Sequence, residues 1–196
     1  MSEATYRLQL PKHDTNAPNE RVRAVLTEVR RRSGMIPNMY AYMANAPEAL
    51  ETYLAGYEKF RSLSGFTPAE QEVVFLTISY ENGCDYCMAA HSVIAEAKSK
   101  VPQPVTEAIR DGAPIPDAKL AALAAFTRAM LLTRGRPTES DVRGFLRAGY
   151  SEKQVLDVIL AIAVKTLSNY SNHLFATPLD DAFKARKWAP AAVQDR

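Results

Sequence analysis

EVVFLTISYENGCDYCMAAH, residues 72–91, is the stretch around which the chain is organised. Its first third, Val73 to Ile78, is apolar nearly all round, the pattern of a helix buried on every side. Asn82-Gly83 is a turn signal, so a second helix is expected to start at or near Cys84 and run to about Lys98. Both cysteines of the chain lie here, as a C-x-x-C pair, Cys84 and Cys87. On one helix Cys87 and His91 are i,i+4 neighbours, and Cys84 is three residues before Cys87, so two thiols and a titratable base share a stripe. The unpaired N–H groups of the first turn favour a thiolate near Cys84. If the two helices are antiparallel about Asn82-Gly83, Glu72 lies about 16 Å back from the turn and His91 about 13 Å forward, so the two are level and can meet. Glu72 then orients the imidazole and stabilises its cation. His91 reaches Cys87 one turn back, whereas Cys84, about 10 Å from it along the axis, is served only through Cys87 or a water.

Outward from this stretch the reading is helical throughout, and the fold class expected is all-α. Thr67-Pro68-Ala69-Glu70 is a capping box with proline at the first helical position, opening the helix that carries Glu72. Upstream, helices are expected over residues 18–33, closed by Gly34, over 39–45, and over 47–63. Downstream, helices are expected over 105–110, 117–133, from Thr138 to 148, from a second capping box at Ser151 through Val155 to about Leu167, and from a Thr177-Pro178 cap over 179–187. Residues 1–15 read as an extended arm with His13 exposed on it. The arginines 21, 23, 30, 31 and 32 read as a solvated helix face. Met and Tyr residues between 35 and 57, Tyr40, Tyr42 and Tyr57 among them, fit a bulky apolar pocket or a subunit interface equally.

The chain aligns with itself at a shift of 84 residues. Gly65-Phe66-Thr67 falls on Gly149-Tyr150-Ser151, and Val74, Leu76 and Ile78 fall on Val158, Leu160 and Ile162. Cys84 and Cys87 fall on Ser168 and Ser171, Glu72 on Leu156 and His91 on Phe175. The expected organisation is one domain over 1–196, with an active half at about 35–100 and a degenerate structural copy at about 116–187. His173 is out of register with His91 and is a weak candidate only.

Composition narrows the function classes. The 196 residues can bury roughly 70% of their unfolded surface, so no disulfide framework is needed. A net charge of only +2 supplies no general attraction to nucleic acid or an anionic membrane. The N-terminal segment lacks the apolar core of a secretory signal, and no apolar run is long enough to span a bilayer, so a cytoplasmic location is expected. There a closely spaced cysteine pair points to redox or metal chemistry. A metal site would need Cys84, Cys87, His91 and one further ligand, and the chain has no second cysteine pair, so no metal is expected.

The spacing E-x11-C-x2-C-x3-H at Glu72, Cys84, Cys87 and His91 resembles the signature of the alkylhydroperoxidase D-like branch of the carboxymuconolactone decarboxylase family. The motif covers 72–91, and helix order extends a looser likeness over 35–187. The resemblance implies a multi-helix bundle, a homo-oligomer (a trimer or hexamer), and a thiol-dependent antioxidant enzyme. Such an enzyme reduces hydroperoxides or disulfides without a metal or organic cofactor and is re-reduced by an electron-donor thiol protein. It also implies that Glu72 and His91 relay protons to the pair, that Cys87 is the attacking thiol and that Cys84 is its partner. One departure is Tyr86, which stands where the best-known redox branch has a relay histidine. The family's lactone decarboxylases, which act in aromatic catabolism without a cysteine pair, provide the alternative, with His91 and Glu72 as acid and base.

Overall fold

The computed structural model describes residues 5–189, so the first four residues of the expected arm and the last seven of the chain lie outside it. Its elements follow the caps. α1 (Glu20–Ser33) starts at Asn19, whose side chain accepts from the N–H groups of Arg21 and Val22, and ends at Gly34 in the left-handed region. α2 (Asn38–Met43) and α3 (Pro47–Leu63) follow, α3 with proline in its first turn. The reciprocal bonds between Thr67 and Glu70 open α4 (Pro68–Glu81). α5 (Asp85–Ala97), α6 (Gln103–Asp111), α7 (Ala118–Leu132), α8 (Glu139–Arg147) and α9 (Glu152–Phe175) complete the α-helices, with capping boxes at Thr138 and Ser151 for the last two. Among the described residues there is no strand.

α4 is the centre of the fold. Its residues from Glu70 to Ser79 are all buried, because α5, α6, α7 and α9 pack around it. This is the arrangement that a helix with no polar face requires. α3 lies along α9, and Gly56 sets their approach: a Cβ there would come within 2.8 Å of Val164 Cγ2. On the far side Phe126, Phe145 and Tyr150 form a stack with ring centroids 4.3 and 4.7 Å apart, and Phe66 meets Tyr150 edge-on.

Three elements differ from the sequence-based expectation. α6 begins at Gln103, two residues before Val105, because Pro104 sits in the first turn, where the missing N–H has no helical partner anyway. α9 runs two turns past Leu167. Ser168-Asn169-Tyr170-Ser171-Asn172 looks like a breaker, yet Ser168, Asn169 and Asn172 are buried on the helix face toward α4 and α5. The expected last α-helix is a short 3-10 helix, Asp181–Arg186, with Asp180 and not Thr177 at the position before its first residue. Asp180 makes no side-chain cap there, because its carboxylate accepts the Asn38 N–H at 3.1 Å and the Tyr86 hydroxyl. The arm also differs in one residue: His13 is half-buried, with Nε2 3.1 Å from Asn45 Oδ1. The arginine face of α1 is solvated as expected, paired with Glu28, Glu51 and Glu58 at the surface.

Candidate active site

The turn between α4 and α5 builds the site. Gly83 takes φ +65°, and the Cys84 N–H donates to Ser79 O at 2.9 Å, reversing the chain within three residues. Cys84 is the N-cap residue of α5, Cys87 lies within its first turn, and His91 follows one turn later. All three are buried, and both cysteines are free thiols. The reversal brings the buried Glu72 of α4 beside His91, with Nδ1 donating to Oε2 at 2.8 Å. The four residues expected to converge therefore do so in space.

Glu72 has a further partner that sequence reasoning missed. Its Oε1 accepts from Arg61 Nη2 of α3, and more weakly from Ser99 Oγ at 3.4 Å. Burial alone would raise the carboxyl, but His91 and Arg61 together hold it below the ordinary carboxylate range. Burial and the charge of Lys165 push His91 below the ordinary imidazole value as well, against the pull of Glu72. The consistent state at neutral pH is an ionised Glu72 and a neutral His91 protonated on Nδ1, which leaves Nε2 as the basic nitrogen.

The thiols are unequal. A hydrogen bond with Cys87, burial and the charge of Cys87 push Cys84 well above the ordinary thiol value. Burial also opposes ionisation of Cys87, but the Cys84 thiol, the ammonium of Lys165 and His91 bring it well below that value. Of the two thiols, Cys87 is therefore the one whose ionisation the surroundings favour. Asn172 Nδ2 of α9 is 3.3 Å from Cys87 Sγ and 3.8 Å from Cys84 Sγ, and Ser168 Oγ is 4.0 Å from Cys87 Sγ. Tyr86 takes no part in a relay to His91. Its hydroxyl is committed to Asp180, and burial first, then that carboxylate, raises it well above the ordinary phenol value. His173 is exposed and stacks on Tyr170, away from the thiols.

A cavity of about 410 Å³ opens onto Cys87, His91 and Lys165. Met35, Met39, Tyr40, Tyr53, Tyr57 and Phe183 line it, so part of the Met–Tyr set forms a pocket wall, while Tyr42 instead stacks on Phe175. Tyr40, Tyr53, Tyr57, Phe75 and His91 form a continuous file of rings, with centroids 5.0–5.8 Å apart. Among the described residues no group of three or more His, Cys, Asp and Glu side chains is placed to hold a metal ion, and no helix is long and apolar enough to cross a membrane.

Residues 47–129 match the family model described as "Carboxymuconolactone decarboxylase family". The matched segment is somewhat less than half of the chain. It runs from α3 to the last turn of α7 and contains Arg61, Glu72, both cysteines and His91. The matched segment stops short of α9, so Ser168 and Asn172 reach the thiols, and Lys165 the cavity, from outside it. Among solved structures, the chain is similar to a peroxidase-related protein of Ralstonia eutropha JMP134 described as an alkylhydroperoxidase AhpD core. The TM-score is 0.78 at 22% identity, covering 96% of this chain and all of that one. A peroxidase-related protein of Silicibacter sp. TM1040 follows at TM-score 0.73 and 22% identity, over 92% and 95% of the two chains. The debrominase Bmp8, as a cysteine-to-alanine variant in complex with 2,3,4-tribromopyrrole, has TM-score 0.69 at 17% identity, over 95% and 96%. The fold is that of the AhpD-like proteins. No curated protein matches the chain.

Proposed function

We propose that the protein is a thiol-dependent oxidoreductase that reduces small apolar hydroperoxides through Cys87 and Cys84. The observation that carries this reading is the asymmetry of the pair: Cys87 lines the cavity together with His91, and Cys84 does not. The surroundings favour ionisation of Cys87 and oppose that of Cys84, beside the His91 that Glu72 orients. The thiolate is the form that attacks. Cys87 S⁻ takes the distal oxygen of ROOH: an S–O bond forms, the O–O bond breaks, and Cys87 becomes a sulfenic acid. The alkoxide that leaves takes a proton that water supplies by way of His91 Nε2, with Glu72 stabilising the imidazolium formed in between. Cys84 then attacks the sulfenic sulfur, giving the Cys84–Cys87 disulfide and water. Two electrons from an external dithiol restore the pair by exchange. The tyrosine- and methionine-lined cavity suits an apolar R group. The mechanism assigns Cys87 as nucleophile, Cys84 as resolving thiol, and His91 with Glu72 as proton carrier.

The test is hydroperoxide consumption with a dithiol donor by the Cys87→Ser variant, which is expected to fall to the uncatalysed rate. Unchanged consumption would reject the reading. A lactone decarboxylase using His91 and Glu72 would instead keep full decarboxylation when both cysteines are serine.

A further inference from the structure

α9 presents Lys165, Ser168 and Asn172 on one face, at i, i+3 and i+7; all three are buried, Ser168 and Asn172 against the cysteine pair and Lys165 in the wall of the cavity that Cys87 also lines. Ser168 Oγ bonds back to its own helix, and Asn172 Nδ2 donates to sulfur, whereas Asn172 Oδ1 and Lys165 Nζ have no partner among the described residues. Of these two only Lys165 can carry a charge. Its side chain is wholly buried, yet among the described residues Nζ has no hydrogen-bond partner. It lies 5.6 Å from the centroid of the Phe75 ring and borders the cavity next to Cys87. A lone ammonium in a protein interior costs several kcal/mol unless an anion compensates it.

The neighbouring titratable groups leave one choice of anion. Glu72 of α4 is already shared between Arg61 of α3 and His91 of α5. Tyr40 of α2 and Tyr53 and Tyr57 of α3 are phenols whose burial drives them upward, toward the neutral form. Tyr86 is neutral against Asp180, and Cys84 remains a thiol. Cys87 remains. We propose that Lys165 is the counter-ion that holds Cys87 as a thiolate in the reduced protein, leaving His91 neutral, with Nε2 free to relay a proton from water to the departing oxygen. The direction of the Cys87 and His91 shifts agrees, since the charge of Lys165 lowers both. With Glu72 balanced by Arg61 and Cys87 by Lys165, the buried cluster carries no net charge, and a proton on His91 would break that balance. Formation of the disulfide removes the thiolate and leaves the ammonium alone, so the same pairing makes the oxidised form easier to reduce.

This inference refines the proposed function but is read independently of turnover. The reduced protein is titrated by thiolate ultraviolet absorbance and by the pH dependence of alkylation, alongside Lys165→Met, Lys165→Arg and His91→Gln. Methionine matches the lysine stem and removes only the charge. The wild type is expected to show one thiolate at neutral pH. In Lys165→Met the midpoint is expected to rise by about one unit or more, a roughly tenfold loss of thiolate below it. Lys165→Arg restores the low midpoint, and His91→Gln keeps the thiolate. The disulfide of Lys165→Met becomes harder to reduce, by about 30 mV for each tenfold change in equilibrium constant. An un-ionised Cys87 in the wild type at neutral pH overturns the proposal without any variant, and so does a Lys165→Met titration that coincides with the wild type. A Lys165-dependent thiolate in a protein that consumes no hydroperoxide would reject the function and leave the counter-ion in place.

Discussion

Replacing Glu72 by glutamine tests the architecture of the site without removing an atom of its outline. The Glu72 side chain has no solvent exposure, Arg61 is one-fifth exposed and His91 6% exposed at the side chain. The carboxylate accepts from both neighbours, Arg61 Nη2 on one oxygen and His91 Nδ1 at 2.8 Å on the other. A glutamine can keep one of these bonds, but its amide N–H₂ must face the second donor. Removing one partner of a fully buried ion pair costs about 3–5 kcal/mol. Water reaches the exposed part of Arg61, so the lower end applies, about 3 kcal/mol. With a urea m-value of about 2–3 kcal/mol/M, that is a midpoint lowered by about 1–1.5 M with m unchanged. Adding Arg61→Met removes the orphaned guanidinium, so the double variant is expected to recover part of the loss, a coupling that a double-mutant cycle reads directly. A loss below about 0.5 kcal/mol in Glu72→Gln, or strict additivity with Arg61→Met, would refute the view that Glu72 is an ionised hub between the two.

Folding stability is expected to decrease as pH falls from about neutrality. His91 is held below its unfolded value of 6.5 and Glu72 below 4.5, so the unfolded chain binds more protons first at one group and then at the other. The His91 contribution is complete above pH 6.5 and is lost as pH falls toward its folded value, so His91→Gln flattens the upper part of the urea-midpoint profile while the Glu72 part persists at lower pH. Gly112→Ala is expected to destabilise by about 2 kcal/mol in thermal unfolding, combining left-handed strain with overpacking. The residue has φ +65°, and its new Cβ would lie 2.1 Å from the Tyr80 hydroxyl, so an unchanged melting temperature would contradict that packing.

Local signals were legible in the sequence and distant ones were not. The capping boxes at Thr67, Thr138 and Ser151 and the glycine stop at Gly34 place four helix ends where the structure has them. Glu72, Cys84, Cys87 and His91 could be brought together from spacing alone because a single turn at Gly83 joins their two helices. Arg61, Lys165, Asn172 and Asp180 reach the site from other elements, and their approach depends on how α3, α9 and the C-terminal segment pack. Lys165 carried one readable sign, a lone lysine inside Val155–Leu167, the most apolar run of the second half, where a charge needs a partner. The serine pair of the 84-residue shift conveyed only lost thiol chemistry. In the structure Ser168 lies against Cys87 itself, so that segment contributes to the site. The end of α9 was illegible because its polar residues match a breaker in composition and are stabilised only by tertiary partners, such as the Asn82–Asn169 bond at 2.9 Å.

The most direct measurement is the mass of the peptide carrying Cys84 and Cys87, with a count of free thiols, before and after one equivalent of an organic hydroperoxide. The account predicts loss of both thiols and a mass lower by two hydrogens, the signature of a disulfide formed through a Cys87 sulfenic acid. Two thiols that remain reduced and alkylatable after exposure to the hydroperoxide would contradict it.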